Sequence, residues 1–139
     1  MKVLILIIAI FSFSFNSANF DSTISSNLST LINIEQLFET WHVTDAYTLK
    51  DNVKKDAMKE VRSTKFVFEK DNTFKLIDSN KKNKEDVGEW KLNKNNSIEV
   101  SLYDTKINFK IKKLNGNQLK LVSIGKKMKK IITFSSENL

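Results

Sequence analysis

Between Lys65 and Phe134, short runs of alternating apolar and polar residues recur roughly every ten residues, and each closes on a turn-forming cluster. Successive side chains of a strand point to opposite faces, so this period of two reads as a meander of half-buried strands. One face collects Phe66, Phe68, Phe74, Leu76, Trp90, Leu92, Ile98, Val100, Leu102, Ile107, Phe109, Ile111, Leu119, Leu121, Ile132 and Phe134. Lys, Glu, Asn, Ser and Thr stand between them. A further strand from Trp41 to Leu49 raises the count to eight. Eight strands close an up-and-down barrel whose interior just holds side chains or one small ligand. The chain has no proline, which suits closed pairing with few free edges. The expected fold class is therefore all-β, an eight-stranded antiparallel up-and-down barrel, with an open sandwich as the alternative architecture.

The 139 residues suffice for one domain with a core of its own. Met1 and Lys2, followed by the apolar run Val3 to Phe11 and the Phe and Ser residues up to Phe15, have the charged start and short hydrophobic region of a secretory signal. The run falls short of the roughly 20 residues of a membrane span. Ser17 and Ala18 offer a cleavage site, so residues 1–18 are expected to be removed and Asn19 to become the new terminus. The absence of cysteine leaves no lipid-acceptor thiol, no disulfide and no thiolate metal site, so the expected product is secreted or periplasmic and not a lipoprotein. Losing residues 1–18 takes away one lysine and no acid, which lowers the net charge from +7 to +6. Arg62 is the one arginine, and the lysines alternate with apolar residues along the strands as a solvated face requires, so nucleic acid is not an expected partner.

Residues 19–33, rich in Ser, Thr and Asn at their start, read as a flexible lead into a helix, and residues 34–135 as the barrel. Leu28, Leu31, Leu37, Phe38 and Trp41 fall near helical spacing, which predicts a short amphipathic helix before the first strand. Val67, Ile77, Val87, Tyr103, Val122 and Ile124, apolar at outward positions, are candidates for the surface it covers. In strand one, alternation puts Trp41, Val43, Tyr47 and Leu49 inside, together with Asp45. The longest connection, Lys50 to Ser63, allows one or two helical turns around Ala57, Met58 and Val61. Asn80 to Asp86 reads as a polar loop, Asp104-Thr105 as the tightest turn, and Asn115-Gly116-Asn117 as a turn helped by residues that tolerate positive φ.

Three stretches together resemble the lipocalin-like domains of small exported bacterial proteins, a calycin-type barrel. Phe38-Glu39-Thr40-Trp41 is similar to the Gly-x-Trp entry of lipocalins, with Glu39 where glycine is usual. Phe66 to Leu76 resembles the family's hairpin, and Val87-Gly88-Glu89-Trp90-Lys91-Leu92 its internal Gly-x-Trp strand. The resemblance implies an eight-stranded barrel and a small apolar ligand as partner, and it implies no catalytic residue.

The chemistry-bearing residues agree with a non-enzyme. His42 is the one histidine, and it falls on the outer face. The acids are scattered singly, with no inward carboxylate pair at the spacing glycoside chemistry needs. No cofactor and no metal site are expected. Gly88 on the inner face either makes room for a ligand or lets the strand approach a neighbour. Lys126, Lys127, Lys129 and Lys130 flank a turn without stacking aromatics among them, and so read as solvated. Asp45 needs an explanation, because an unpaired carboxylate inside an apolar barrel is costly. Either a bulge turns it outward, or it lies at the open end. In the second case Asp45 and Tyr47 orient a mostly apolar ligand beneath a lid containing Met58, with Phe66, Phe68 and Trp90 lining the site deeper down. A filled barrel that works through its outer surface, as an interaction or envelope protein, is the alternative.

Overall fold

The computed structural model of the chain describes residues 32–125 and 127–136, and all its side chains except that of Ile124. The expected signal segment, nearly all of the expected lead, Lys126 and the Ile124 side chain therefore lie outside what is described.

Among the described residues nine antiparallel strands form one sheet: β1 (Thr40–Lys50), β2 (Val53–Asp56), β3 (Thr64–Phe68), β4 (Thr73–Asp78), β5 (Lys84–Asn93), β6 (Ser97–Leu102), β7 (Thr105–Asn115), β8 (Gln118–Ile124) and β9 (Lys129–Ser136). From β3 to β9 each strand pairs with its neighbour in sequence, and β9 returns to β1 to close the barrel. Eight strands make the wall. The ninth, β2, shares one edge of β1 with β3: Thr40 to His42 pair with β3, and Tyr47 to Lys50 pair with β2. The connection expected as loop with helical turns thus holds a hairpin, a short strand and one helical turn, α1 (Met58–Val61). Asp51 and Asn52 both adopt positive φ, the two-residue turn that matches strand twist.

A three-residue turn, Lys94 to Asn96, leads from β5 into β6, with Asn95 and Asn96 again at positive φ. Between β4 and β5 a 3-10 turn, Ser79–Lys81, is followed by left-handed Lys82 and Asn83, so β5 starts at Lys84 inside the expected polar loop. The turn between β6 and β7 lies at Tyr103-Asp104, one residue earlier than expected, with Tyr103 at φ 53°. At Asn115-Gly116-Asn117 the turn is where the sequence puts it, but no described glycine has positive φ. The Asn115 side chain closes it instead: its Oδ1 accepts from the N–H groups of Asn117 and Gln118, at 3.2 and 2.9 Å.

Two register shifts correct the simple alternation. Between β1 and β9 the register slips at Val43/Asp45, and the Thr44 hydroxyl donates to the Thr133 carbonyl at 3.2 Å. An extra residue reverses the phase of the strand beyond it. Trp41 and Val43 point inward, Asp45 is exposed, Ala46 is buried where an outward residue was expected, and Tyr47 moves to the outside. Between β7 and β8 the slip at Ile111/Lys113 brings Leu114 against the core. The remaining inward series is buried as alternation requires, except Leu92, which is 48% exposed at the rim beside the β5–β6 turn. On the outer face Val122 and Ile131 are buried, whereas Val87 and Tyr103 are exposed.

The described part of the expected helix is a four-residue 3-10 turn, Ile34–Leu37, with Asn33 Oδ1 accepting from the Glu35 N–H at its start. Strand pairing already begins at Thr40, which leaves no length for further helical turns. The turn is nevertheless fixed to the barrel. Leu37 is fully buried, and the Trp41 indole N–H donates to the Leu37 carbonyl at 3.0 Å.

Candidate functional site

The two ends of the barrel interior are chemically different. At the end where β1 begins, an aromatic group from β3, β4, β5 and β9 is in mutual contact, with Leu37, Ile98, Ile111 and Leu119 completing the inner layer. Phe66 meets Phe74 edge-on at 5.3 Å and Phe134 at 4.8 Å, and Phe68 meets Trp90 edge-on at 5.8 Å. Such tilted and edge-to-face pairs contribute ~0.5–1.5 kcal/mol beyond their buried area. The Trp90 indole N–H donates to the Glu69 carbonyl at 2.9 Å, so its polar atom is satisfied inside an apolar shell. Phe38, just after the 3-10 turn, lies 6.0 Å from Trp90 and carries the Lys70 ammonium 5.8 Å from its own ring. This end is closed.

Gly88 has a structural reason. A Cβ there would lie 2.0 Å from the Ser101 carbonyl oxygen and 3.0 Å from Leu102 Cδ1, so the missing side chain lets β5 and β6 approach rather than opening space.

Among the six residues that the sequence suggests as a ligand site, Phe66, Phe68 and Trp90 come together, but as packed core. Met58 is half-buried on α1 and packs against the core. Asp45 and Tyr47 are not part of this inner group. The β1 bulge turns both outward, and Tyr47 there supports β2, with the Lys54 ammonium 4.1 Å from its ring centre. His42 is half-buried on the outer face, between Lys65 and Ser135 in register. Among the described residues no group of three His, Asp or Glu side chains is placed to hold a metal ion.

The opposite end holds what alternation alone could have revealed. Thr64, Asp78, Asp86 and Lys130 are all buried. Each continues an inward series: Thr64 before Phe66 and Phe68, Asp78 after Phe74 and Leu76, Asp86 before Gly88 and Trp90, Lys130 before Ile132 and Phe134. Asp86 Oδ1 accepts from the Tyr103 hydroxyl at 2.5 Å and lies 3.7 Å from Lys84 Nζ. The hydrogen bond to Asp86, with a smaller effect of desolvation, raises the Tyr103 pKa above its ordinary value. Asp78 Oδ1 accepts from the Ser63 hydroxyl at 3.1 Å and the Asn80 N–H at 3.0 Å, which caps the 3-10 turn after β4. Asp78 Oδ2 and Thr64 Oγ1 are buried without a hydrogen-bond partner, and their residues face each other in register across β3 and β4. A buried polar group left unsatisfied costs about 1–3 kcal/mol. Lys130 lies on β9 between Thr48 and Ser123, and burial pulls its pKa down to about 8.

The β2–α1 segment covers this end. All four residues of β2 are exposed, whereas Ala57 and Val61 dip into the core and the Ala57 N–H donates to the Ala46 carbonyl at 2.9 Å. Beside it a shallow hollow with room for about one water molecule lies among Ala46, Tyr47, Thr48, Ala57, Val61, Lys130, Ile131 and Ile132, so Tyr47 lines its edge.

Comparison with known proteins adds a family to this fold. No curated protein matches the sequence. Among solved structures the chain is similar to a lipocalin-like protein from Bacteroides uniformis, at 18% identity and a TM-score of 0.54, over 73% of this chain and 98% of that one. It is similar to the same degree to a duf4847 family protein from Bacteroides vulgatus, at 17% identity and a TM-score of 0.54, over 76% and 99% of the two chains. The family model of the lipocalin-like domain matches residues 37–121, from the buried Leu37 to the inner face of β8, and the chain belongs to that family.

Proposed function

We propose that the protein is an exported, non-catalytic binding protein that holds one small ligand at the polar end of its barrel, under the β2–α1 segment. The carrying observation is the division of the interior. Aromatic side chains fill much of one end, and unsatisfied buried polar atoms sit at the other, where the β2–α1 segment is held by pairing with β1 and by Ala57 and Val61. The family supports a ligand in the barrel, and because the hollow holds only about one water molecule, the β2–α1 segment has to shift to admit one. Export rests on the signal-like segment of residues 1–18. No helix among the described residues is long and apolar enough to cross a membrane.

A second reading has its own support: the inner face is so densely occupied that the barrel works as a filled scaffold through its outer surface. Native mass spectrometry of the protein purified from its own host separates the two. A bound small-molecule mass, on a chain beginning at Asn19, is the expected result. A clean ligand-free mass, with no response to fatty acids or other apolar probes, would favour the filled scaffold, and an uncleaved chain would refute export.

A further inference from the structure

We propose that the ligand bound at the polar end is recognised through a cationic ammonium head that pairs with Asp78 and Thr64. This rests on the reading that a ligand binds there at all. Thr64 and Asp78 are 1% and 7% exposed, stand opposite each other in register, and share the inward faces of β3 and β4. Both of their unpartnered atoms are oxygens that accept hydrogen bonds, and an ammonium group carries three donors and no acceptor. A single nitrogen between the two strands would satisfy Asp78 Oδ2 and Thr64 Oγ1 together.

Charge selects a cation over a neutral donor. Asp78 is met only by neutral donors, the Ser63 hydroxyl and the Asn80 N–H, and no ion pair with it occurs among the described residues. Lys84, opposite Asp78 in register, reaches Asp86 instead. Of two buried carboxylates on neighbouring strands, one therefore has a lysine and the other none, and a buried carboxylate without a counter-charge favours any cation that can reach it. Lys130 faces the interior from β9, beyond β1, so a carboxylate ligand would be drawn to that wall instead. The chain runs from α1 through Arg62 and Ser63 straight into Thr64, so the β2–α1 segment ends beside this pair.

Three probes with one alkyl chain and different heads test the assignment: hexylammonium chloride, 1-hexanol and sodium hexanoate, each titrated into the 15N-labelled chain. Hexylammonium should shift the amide resonances of Ser63, Thr64, Asp78 and Asn80 to saturation and bind about tenfold or more tightly than hexanol. Asp78→Asn keeps a side-chain oxygen to cap the 3-10 turn but replaces the carboxylate, and it should abolish that preference. Thr64→Val keeps the shape, removes one acceptor and should weaken hexylammonium binding while leaving the fold intact. If hexanol or hexanoate moves the same amides equally well and Asp78→Asn changes nothing, the polar-end site stands and the cationic head is refuted. If none of the three moves them, both fall.

Discussion

The two ends of one barrel show how the same strands serve two purposes. At the aromatic end most of the large inner side chains of β1, β3, β4, β5 and β9 are Phe or Trp, each indole N–H has a carbonyl, and the 3-10 turn packs its Leu37 into the opening. At the polar end the same alternation continues outward into Thr64, Asp78, Asp86 and Lys130, and two of their oxygens have no partner. Because a strand carries its inward face to its last residue, the chemistry of a barrel end is set by one residue per strand, and it can change without disturbing the core. Stability is therefore concentrated where packing is dense and satisfied. Unsatisfied polarity is tolerated at the other end because the packed end already specifies the fold.

The largest test of this contrast is truncation at the aromatic end. Phe68→Ala removes a nearly fully buried ring that touches Phe66, Phe74 and Trp90, and it should cost about 3–5 kcal/mol by urea denaturation. Leu92→Ala, on the same face but half-exposed at the rim, should cost less than about 1 kcal/mol. Equal losses would mean that the aromatic end is no denser than the rim. Next comes Gly88→Ala. Its Cβ has to displace the Ser101 backbone, which no side-chain rotation relieves, so a loss of about 1–3 kcal/mol and weakened hydrogen-exchange protection across β5 and β6 are expected. Unchanged protection there would show that the strands part easily and that the close approach is dispensable.

The barrel was legible because period two is a local signal. Every barrel strand falls where the alternation and the turn residues put it, to within a few residues at the ends, and both tryptophans point inward as expected. What escaped was whatever depends on a partner strand. The Thr44 bulge exists only in relation to β9: an acid in inward phase at Asp45 raises a bulge as one of two explanations, and the pairing with β9 settles it by moving Asp45 and Tyr47 to the other face. β2 escaped for a related reason: Val53-Lys54-Lys55-Asp56 has no apolar face, and only the left-handed Asp51-Asn52 pair, read as part of a long loop, marked the hairpin. The polar end was legible in principle. Asp78 and Asp86 sit in phase with the core aromatics and are buried, whereas Asp45, equally in phase by alternation, is turned out by the bulge.

The smallest expected effect concerns Lys130, and it asks whether the polar end is dry enough to perturb a charge. Burial lowers its pKa in the folded chain from an ordinary 10.5 to about 8. Between those values the unfolded chain holds a proton that the folded one has released, so stability rises with pH across the window, and below about 8 the folded chain carries the full cost of a desolvated ammonium. Lys130→Met keeps the aliphatic stem and removes the titration. The variant should be more stable than the parent at pH 7, by on the order of 1 kcal/mol once solvent near the barrel end is allowed for, and that advantage should fade as pH climbs from 8 towards 10.5. The raised pKa of Tyr103 acts in the opposite sense near pH 10 and above, but it is present in both chains and cancels in the difference. Urea denaturation of the two proteins at pH 7, 8, 9 and 10 measures that difference directly. A constant gap would mean that the Lys130 ammonium keeps its water, and that the polar end is open to solvent even with β2 and α1 in place.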